Sequence, residues 1–312
     1  MPRYEGPIVD AHQHFWRPGN GRIGWLRPEA KIDFRYGDYE SIKRDYLPPD
    51  LLADADGLNL VGTVWMETEW DRDDPVGEIR DLVRTRDQYG LPDAAVAHAV
   101  LADPAVDKTL AALTAESELV RAIRNKPGQS ATAATAALEP TLMSDPQWQR
   151  GYARLASYGL GFELQTAWWH LDEALLLARR FPDVAIMINH AALPSDRSPE
   201  GLAGWRAALR QIAAAENVAI KISGIGLPGK PWTVADNRVI VESVAEIFGE
   251  SRILFASNFP VDSLVATYRT IYDGFLDITA EWSVSEQRAA FIGNAIRHYR
   301  LDPDIAATRR VV

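Results

Sequence analysis

Short runs of apolar and β-branched residues recur along the chain, separated by stretches in which apolar residues return every three or four positions. The runs fall at 8–12, 60–66, 94–101, 119–123, 160–164, 184–188, 218–222 and 253–256. Each is nearly continuous in apolar character, as expected of a strand covered on both faces of a parallel sheet. Helical periodicity occupies 50–58, 76–89, 105–116, 146–158, 171–181, 199–216 and 235–248, and a further amphipathic stretch runs from 284 to 300. The Pro48-Pro49 pair marks one helix entry and Gly90 one exit. Strands alternating with helices at roughly forty residues per unit predict a parallel α/β fold, a (β/α)₈ barrel.

The competing architecture is a doubly wound open sheet, which would place a glycine-rich phosphate turn after the first strand. That turn here is His12-Gln13-His14-Phe15-Trp16. No repeat, linker or low-complexity tract divides the chain, and the alanine-rich stretch 130–138 is a loop or weak helix. The expectation is therefore a single barrel domain over 1–312 with insertions in its βα loops, at 15–49 and 125–145. In a barrel such loops build the active-site face. Trp16, Trp25, Trp70, Trp168, Trp169 and Trp232 all fall after strand ends. They either line a pocket, offering flat faces to a ring-shaped substrate, or pack the insertions.

Composition narrows the chemistry. With 312 residues the chain can bury a large core, and with no cysteine it has no disulfide, thiolate ligand or cysteine nucleophile. A net charge of −10 without a basic cluster argues against nucleic acid as a partner. Residues 1–5 lack the apolar core of a secretory signal, and no apolar run approaches the ~20 residues of a membrane span. The chain reads as cytoplasmic, with a small-molecule substrate and no membrane partner; a homo-oligomer is compatible with this reading.

Three strand ends carry candidate chemistry. His12 and His14 close the first run, and residues i and i+2 of a strand point to one side, so both imidazoles can converge on one ion. The strand at 184–188 runs through Asn189 into His190, a candidate acid/base or ligand; the bland alternative is a hydrogen-bonded core histidine. The last run ends in Ser257-Asn258-Phe259-Pro260-Val261-Asp262. Their joint placement at one barrel mouth is more specific than any one of them.

These segments resemble the amidohydrolase-2 branch of the amidohydrolase superfamily, the group of sugar-acid and pyrone-dicarboxylate lactonases. The likeness spans nearly the whole chain: IVDAHQHFW (8–16), VRAIRN (120–125), GFELQ (161–165), INHAALP (188–194) and ILFASNFPVD (253–262). The resemblance implies a TIM barrel and assigns roles by position. His12 and His14 match a metal-binding pair. His190 matches a histidine that contacts the substrate carbonyl or the attacking water. Arg124 matches an arginine that holds a substrate carboxylate, with Arg121 as the alternative if the strand faces the other way.

Two departures matter. Metal-loaded relatives carry an aspartate at the end of strand eight, where this chain has Asn258. An amide is no base near neutral pH, although its oxygen can bind a hard ion or orient water. At the strand-five position of a metal-ligating histidine stands Gln165, with Glu163 two residues before it, and Lys126 is a poor match to a bridging lysine. The expectation is one divalent ion such as zinc on His12 and His14, or a metal-free site. His190 is the favoured base and Asp262 the second, a helix N-cap being the latter's bland reading. Arg124, Glu69, Glu163, Gln165 and Trp16 are the candidate substrate contacts. The function expected is opening of a lactone or related cyclic ester of a carboxylated or sugar-derived metabolite. The alternatives are a metal-dependent decarboxylase of an aromatic or dienoic acid and a silent ligand-binding barrel.

Overall fold

A computed structural model describes residues 3–308. The apolar runs form eight parallel strands: β1 (Ile8–Gln13), β2 (Leu60–Met66), β3 (Ala94–His98), β4 (Val120–Arg124), β5 (Gly161–Leu164), β6 (Ile186–Ile188), β7 (Val218–Ile222) and β8 (Ile253–Phe255). They pair in sequence order. Past the end of β8 the ring closes on β1, where Asn258 N–H donates to His12 O and His14 N–H to Phe259 O, both at 2.8 Å. The result is the expected eight-stranded barrel. Between β1 and β2 the register slips from Asp10 to Gln13, which breaks strict alternation just where the histidines stand.

The helices α1 (Pro48–Asp54), α2 (Pro75–Tyr89), α3 (Val106–Glu116), α4 (Pro146–Arg154), α5 (Leu171–Arg180), α6 (Pro199–Ile212) and α7 (Val234–Phe248) follow the periodic segments. Side-chain caps fix several starts: Asp74 accepts from Gly77 N–H, Asp145 from Trp148 N–H and Thr233 from Asp236 N–H. α1 begins earlier than its apolar pattern because Pro48 and Pro49 occupy the first turn, where a missing N–H costs nothing. An eighth helix, α8 (Tyr268–Ile278), was not expected from the sequence. Its run of tyrosine, isoleucine, threonine and phenylalanine, interrupted by Gly274, carries weak helix propensity. Packing prevails instead: Tyr272 stacks on Tyr268, and Gly274 leaves room for the Trp232 ring, which a Cβ would meet at 2.1 Å. The segment 284–300 divides into α9 (Val284–Arg288), a π turn at Ala289–Gly293 and α10 (Asn294–Tyr299).

One apolar cluster fills the space between barrel and helices, and a second pairs strand residues such as Val9, Val96 and Leu254 with Ile292, Tyr299 and Ile305 of the C-terminal segment. Among the strands stands a buried ion pair, Lys221 Nζ to Glu163 Oε2 at 2.9 Å, with both side chains fully buried. Asn189 and the Tyr299 hydroxyl also donate to Glu163. No helix among the described residues is long and apolar enough to cross a membrane.

Candidate functional site

β1, β2, β4, β5, β6 and β8 all deliver polar residues to one barrel mouth. A cavity of about 110 Å³ opens there, its wall including His14, Glu67, Arg124, Gln165, His190 and Asn258, with Trp25, Phe34 and Val261 supplying an apolar side. A second cavity of about 310 Å³, floored in part by Trp169 and Leu193, shares Arg35, Lys126 and Gln165 with the first.

His12 is fully buried, its ring 4.7 Å from that of His190 and 5.4 Å from that of His14. His14 Nδ1–H donates to Met66 O at 3.0 Å, so its lone pair is on Nε2. Burial pushes His14 down to about 3, with Arg124 adding to the effect, and holds His12 far below the ordinary imidazole value. Both are neutral near pH 7. Both ring nitrogens of His12 are buried and lack a hydrogen-bond partner. Such orphaned atoms are costly, and a ligand on one of them is a usual reason for their presence. The donors therefore fit a cation held by neutral imidazoles on one side. Among the described residues no three His, Cys, Asp or Glu side chains are grouped so that they could hold a metal ion, and the polar residue beside the histidines at the end of β8 is the amide Asn258.

His190 opens a run of four left-handed, non-glycine residues, with φ of 54° at His190, 51° at Ala191, 58° at Ala192 and 56° at Leu193. Each such residue costs on the order of 1–3 kcal/mol, and this kind of strain gathers at functional sites. Trp205 Nε1–H pins the run by donating to Ala191 O at 2.8 Å. Ser223 Oγ lies 2.9 Å from His190 Nδ1, which leaves Nε2 as the nitrogen for the cavity. Gly224 is required beneath the ring, because a Cβ there would stand 2.5 Å from Nδ1. Burial, with Arg35 and Arg124 nearby, holds His190 well below its ordinary value.

Arg124 faces the cavity, whereas Arg121 turns away and donates to Tyr299 O. Arg124 is already engaged: Nε–H reaches Glu67 Oε1 at 2.6 Å, Nη2–H reaches Glu67 O at 2.7 Å and Nη1–H reaches Gln165 Oε1 at 3.3 Å. Burial works to raise Glu67, but Arg124 and then Lys126 outweigh it and keep its carboxyl ionised. Lys126, discounted as a loop residue, reaches the cavity and pairs with Glu69, itself left-handed at φ 58°.

Four expected contacts are placed differently. Glu163 lies among the strands, neutralising Lys221, and does not reach the cavity. Trp16 is buried behind it, against the ring of His14 and the edge of Trp25. Arg124 does not offer a free guanidinium. Asp262 also stands back: it accepts from Asn258 Nδ2–H at 2.6 Å and from the Tyr36 hydroxyl at 3.2 Å, so Asn258 separates it from the cavity. Burial raises Asp262 to about 6, against the lowering influence of Arg35. His12, His14, His190, Asn258, Glu69 and Gln165 come together at the mouth as the sequence suggests. Arg35 and Ser223 were missed, and Lys126 was weighed only as a bridging lysine. Arg35 lies in the insertion after β1 and carries no local motif. Lys221, inside an apolar strand, was the one readable signal that an acid must lie within the barrel.

The amidohydrolase family model matches residues 9–301. The uncharacterized protein y4mH of Sinorhizobium fredii is 38% identical over 94% of this chain and 98% of its own length. The L-fucono-1,5-lactonase of Burkholderia ambifaria is 27% identical over 94% of this chain and 96% of its own. Among solved structures, an amidohydrolase from Burkholderia multivorans with bound zinc superposes with a TM-score of 0.76 at 24% identity, covering 95% of this chain and all of that one.

Proposed function

Because the chain belongs to the amidohydrolase family and is a hydrolase, we propose that it opens a lactone or related cyclic ester of a carboxylated or sugar-derived metabolite, with 1–312 acting as one catalytic domain. The observation that carries this reading is His190: neutral, held by Ser223, in a backbone run pinned by Trp205 at Ala191 O, and with Nε2 left for the cavity it lines. The likeness to lactonases supports the choice of a cyclic ester.

With Nδ1–H donated to Ser223, Nε2 accepts a proton from water as the water oxygen bonds to the acyl carbon. The same nitrogen returns that proton to the ring oxygen as the acyl C–O bond breaks, giving the hydroxy acid. Arg124 and Lys126, each paired with a carboxylate, line the wall as preorganised donors near the acyl oxygen where charge develops, and the Asn258 amide can orient the water. A divalent ion, if bound, would be held by His12 and His14 and would polarise the acyl oxygen or acidify the water. A weakly basic histidine suits a lactone, because a strained ester opens more readily than an amide.

The test is proton release from a panel of sugar-acid and dicarboxylate lactones, with and without a chelator. His190→Asn is expected to lower kcat by at least the ~10²-fold typical of general acid/base groups. A His190→Asn enzyme near the wild-type rate refutes the role. Turnover lost on chelation assigns an ion to His12 and His14, and turnover that survives assigns them to substrate. Release of CO₂ from aromatic acids, with no lactone opened, would favour decarboxylation instead.

A further inference from the structure

The two cavities meet at three side chains, and one of these is an uncommitted cation. Lys126 is paired with Glu69, and Gln165 accepts from Arg124. Arg35 is exposed and spends one N–H on Gly224 O at 2.7 Å, while its guanidinium lies 4.6 Å from the Tyr36 ring. Among the described residues it has no carboxylate within ion-pair distance, whereas the other two cations of the inner wall, Arg124 and Lys126, each have one. Asp262, the acid whose charge it influences, is taken up by Asn258 and Tyr36.

Charge counting agrees. The inner wall carries three cations, Arg35, Arg124 and Lys126, against two carboxylates, Glu67 and Glu69, an excess of one positive charge in a chain of net charge −10. A guanidinium presents its donors in a planar fork that matches a carboxylate. Resting on the lactone-opening reading above, we propose that the substrate is a monoanionic lactone whose ring occupies the inner cavity and whose carboxylate-bearing arm extends into the outer one, held by Arg35. Arg124, saturated by Glu67 and Gln165, shapes the acyl end of the site instead of binding that carboxylate. Trp169 and Leu193 give the arm an apolar floor.

The test uses a δ-lactone with a side-chain carboxylate and the same lactone as its carboxamide, with wild type, Arg35→Met and Arg35→Lys. Proton release gives the acid-to-amide ratio of kcat/KM, and calorimetry gives the ratio of Kd. The wild type is expected to prefer the acid by on the order of 10- to 100-fold, the range of hydrogen bonds to charged groups. Added salt should shrink the preference, because the cation is exposed. Arg35→Met should bring both ratios close to one at an unchanged Tm, and Arg35→Lys should restore part of them. A wild type that does not discriminate overturns the proposal. So does an Arg35→Met variant that keeps the ratio, including one in which both substrates lose rate in proportion, the mark of a merely structural residue. If the wild type opens neither lactone, the hydrolytic reading fails while the Kd ratios still decide the role of Arg35.

Discussion

Replacing Glu67 by Gln keeps the shape of a side chain that is 2% exposed and removes its charge. Its partner Arg124, 4% exposed, then becomes a buried cation with Lys126 at the same mouth and only amide and carbonyl oxygens to accept from it. Breaking a buried pair from one side costs about 3–5 kcal/mol, because the remaining charge keeps its desolvation penalty. The control lies two residues away. Glu69 pairs with Lys126, but their side chains are 38% and 37% exposed, and pairs in that range contribute about 0–1 kcal/mol. Urea unfolding at pH 7 is the assay, with midpoints compared at constant m. Glu67→Gln should lower stability by at least about 3 kcal/mol and Glu69→Gln by no more than about 1 kcal/mol. The pH dependence has a fixed sign. Glu67 is held below its unfolded value, so its contribution is complete above the ordinary glutamate range and is lost as pH falls through the depressed value. Equal losses from the two variants would refute the reasoning, since the first pair is buried and the second is more than a third exposed.

Glu78 titrates in the opposite direction. Burial, with Glu67 nearby, raises it to about 8 from an ordinary 4.5, so the folded chain keeps a proton that the unfolded chain releases. Stability should fall as pH rises between those values, and Glu78→Gln should flatten that fall in urea midpoints taken from pH 4.5 to 8. Gly224→Ala places a methyl group against the His190 ring at a φ of 56°. A displacement of about 1 Å in a catalytic group costs on the order of 10²-fold, so kcat should fall far more than KM; an unchanged kcat would show that His190 need not hold this position.

The strands were legible because burial on both faces leaves an uninterrupted apolar signature, and the histidines because they interrupt it at strand ends. α8 was not, since its residues favour neither state and its stability comes from contacts with distant rings such as Trp232. Glu163 was misplaced for a related reason. Its role depends on Lys221, a residue on another strand, and nothing near position 163 announces that partner. Arg124 lines the cavity but is paired with Glu67, a pairing the sequence does not announce because Glu67 lies in β2's exit and only the folded ring brings the two together. Arg35 is the extreme case: a residue in an irregular insertion whose importance lies in what it does not touch.

That last point separates two kinds of charge in this mouth. Where a carboxylate and a cation are both supplied by strand ends, as with Glu67 and Arg124, the barrel holds them in fixed register and buries them, and their mutual satisfaction leaves little to offer a ligand. Arg35, from the insertion after β1, stays exposed with no carboxylate within ion-pair distance among the described residues, and its one backbone contact, to Gly224 O, lies beside the His190 ring. Strain follows the same division. Glu69, Asn258 and the run from His190 to Leu193 adopt left-handed conformations immediately beyond strands β2, β8 and β6. Conformations that each cost about 1–3 kcal/mol persist only where the surrounding structure dictates them, and a closed barrel does so at its strand ends. The proposed catalytic groups therefore stand on the rigid ring, whereas the proposed contact to a substrate carboxylate comes from a loop residue that is anchored to the ring at Gly224.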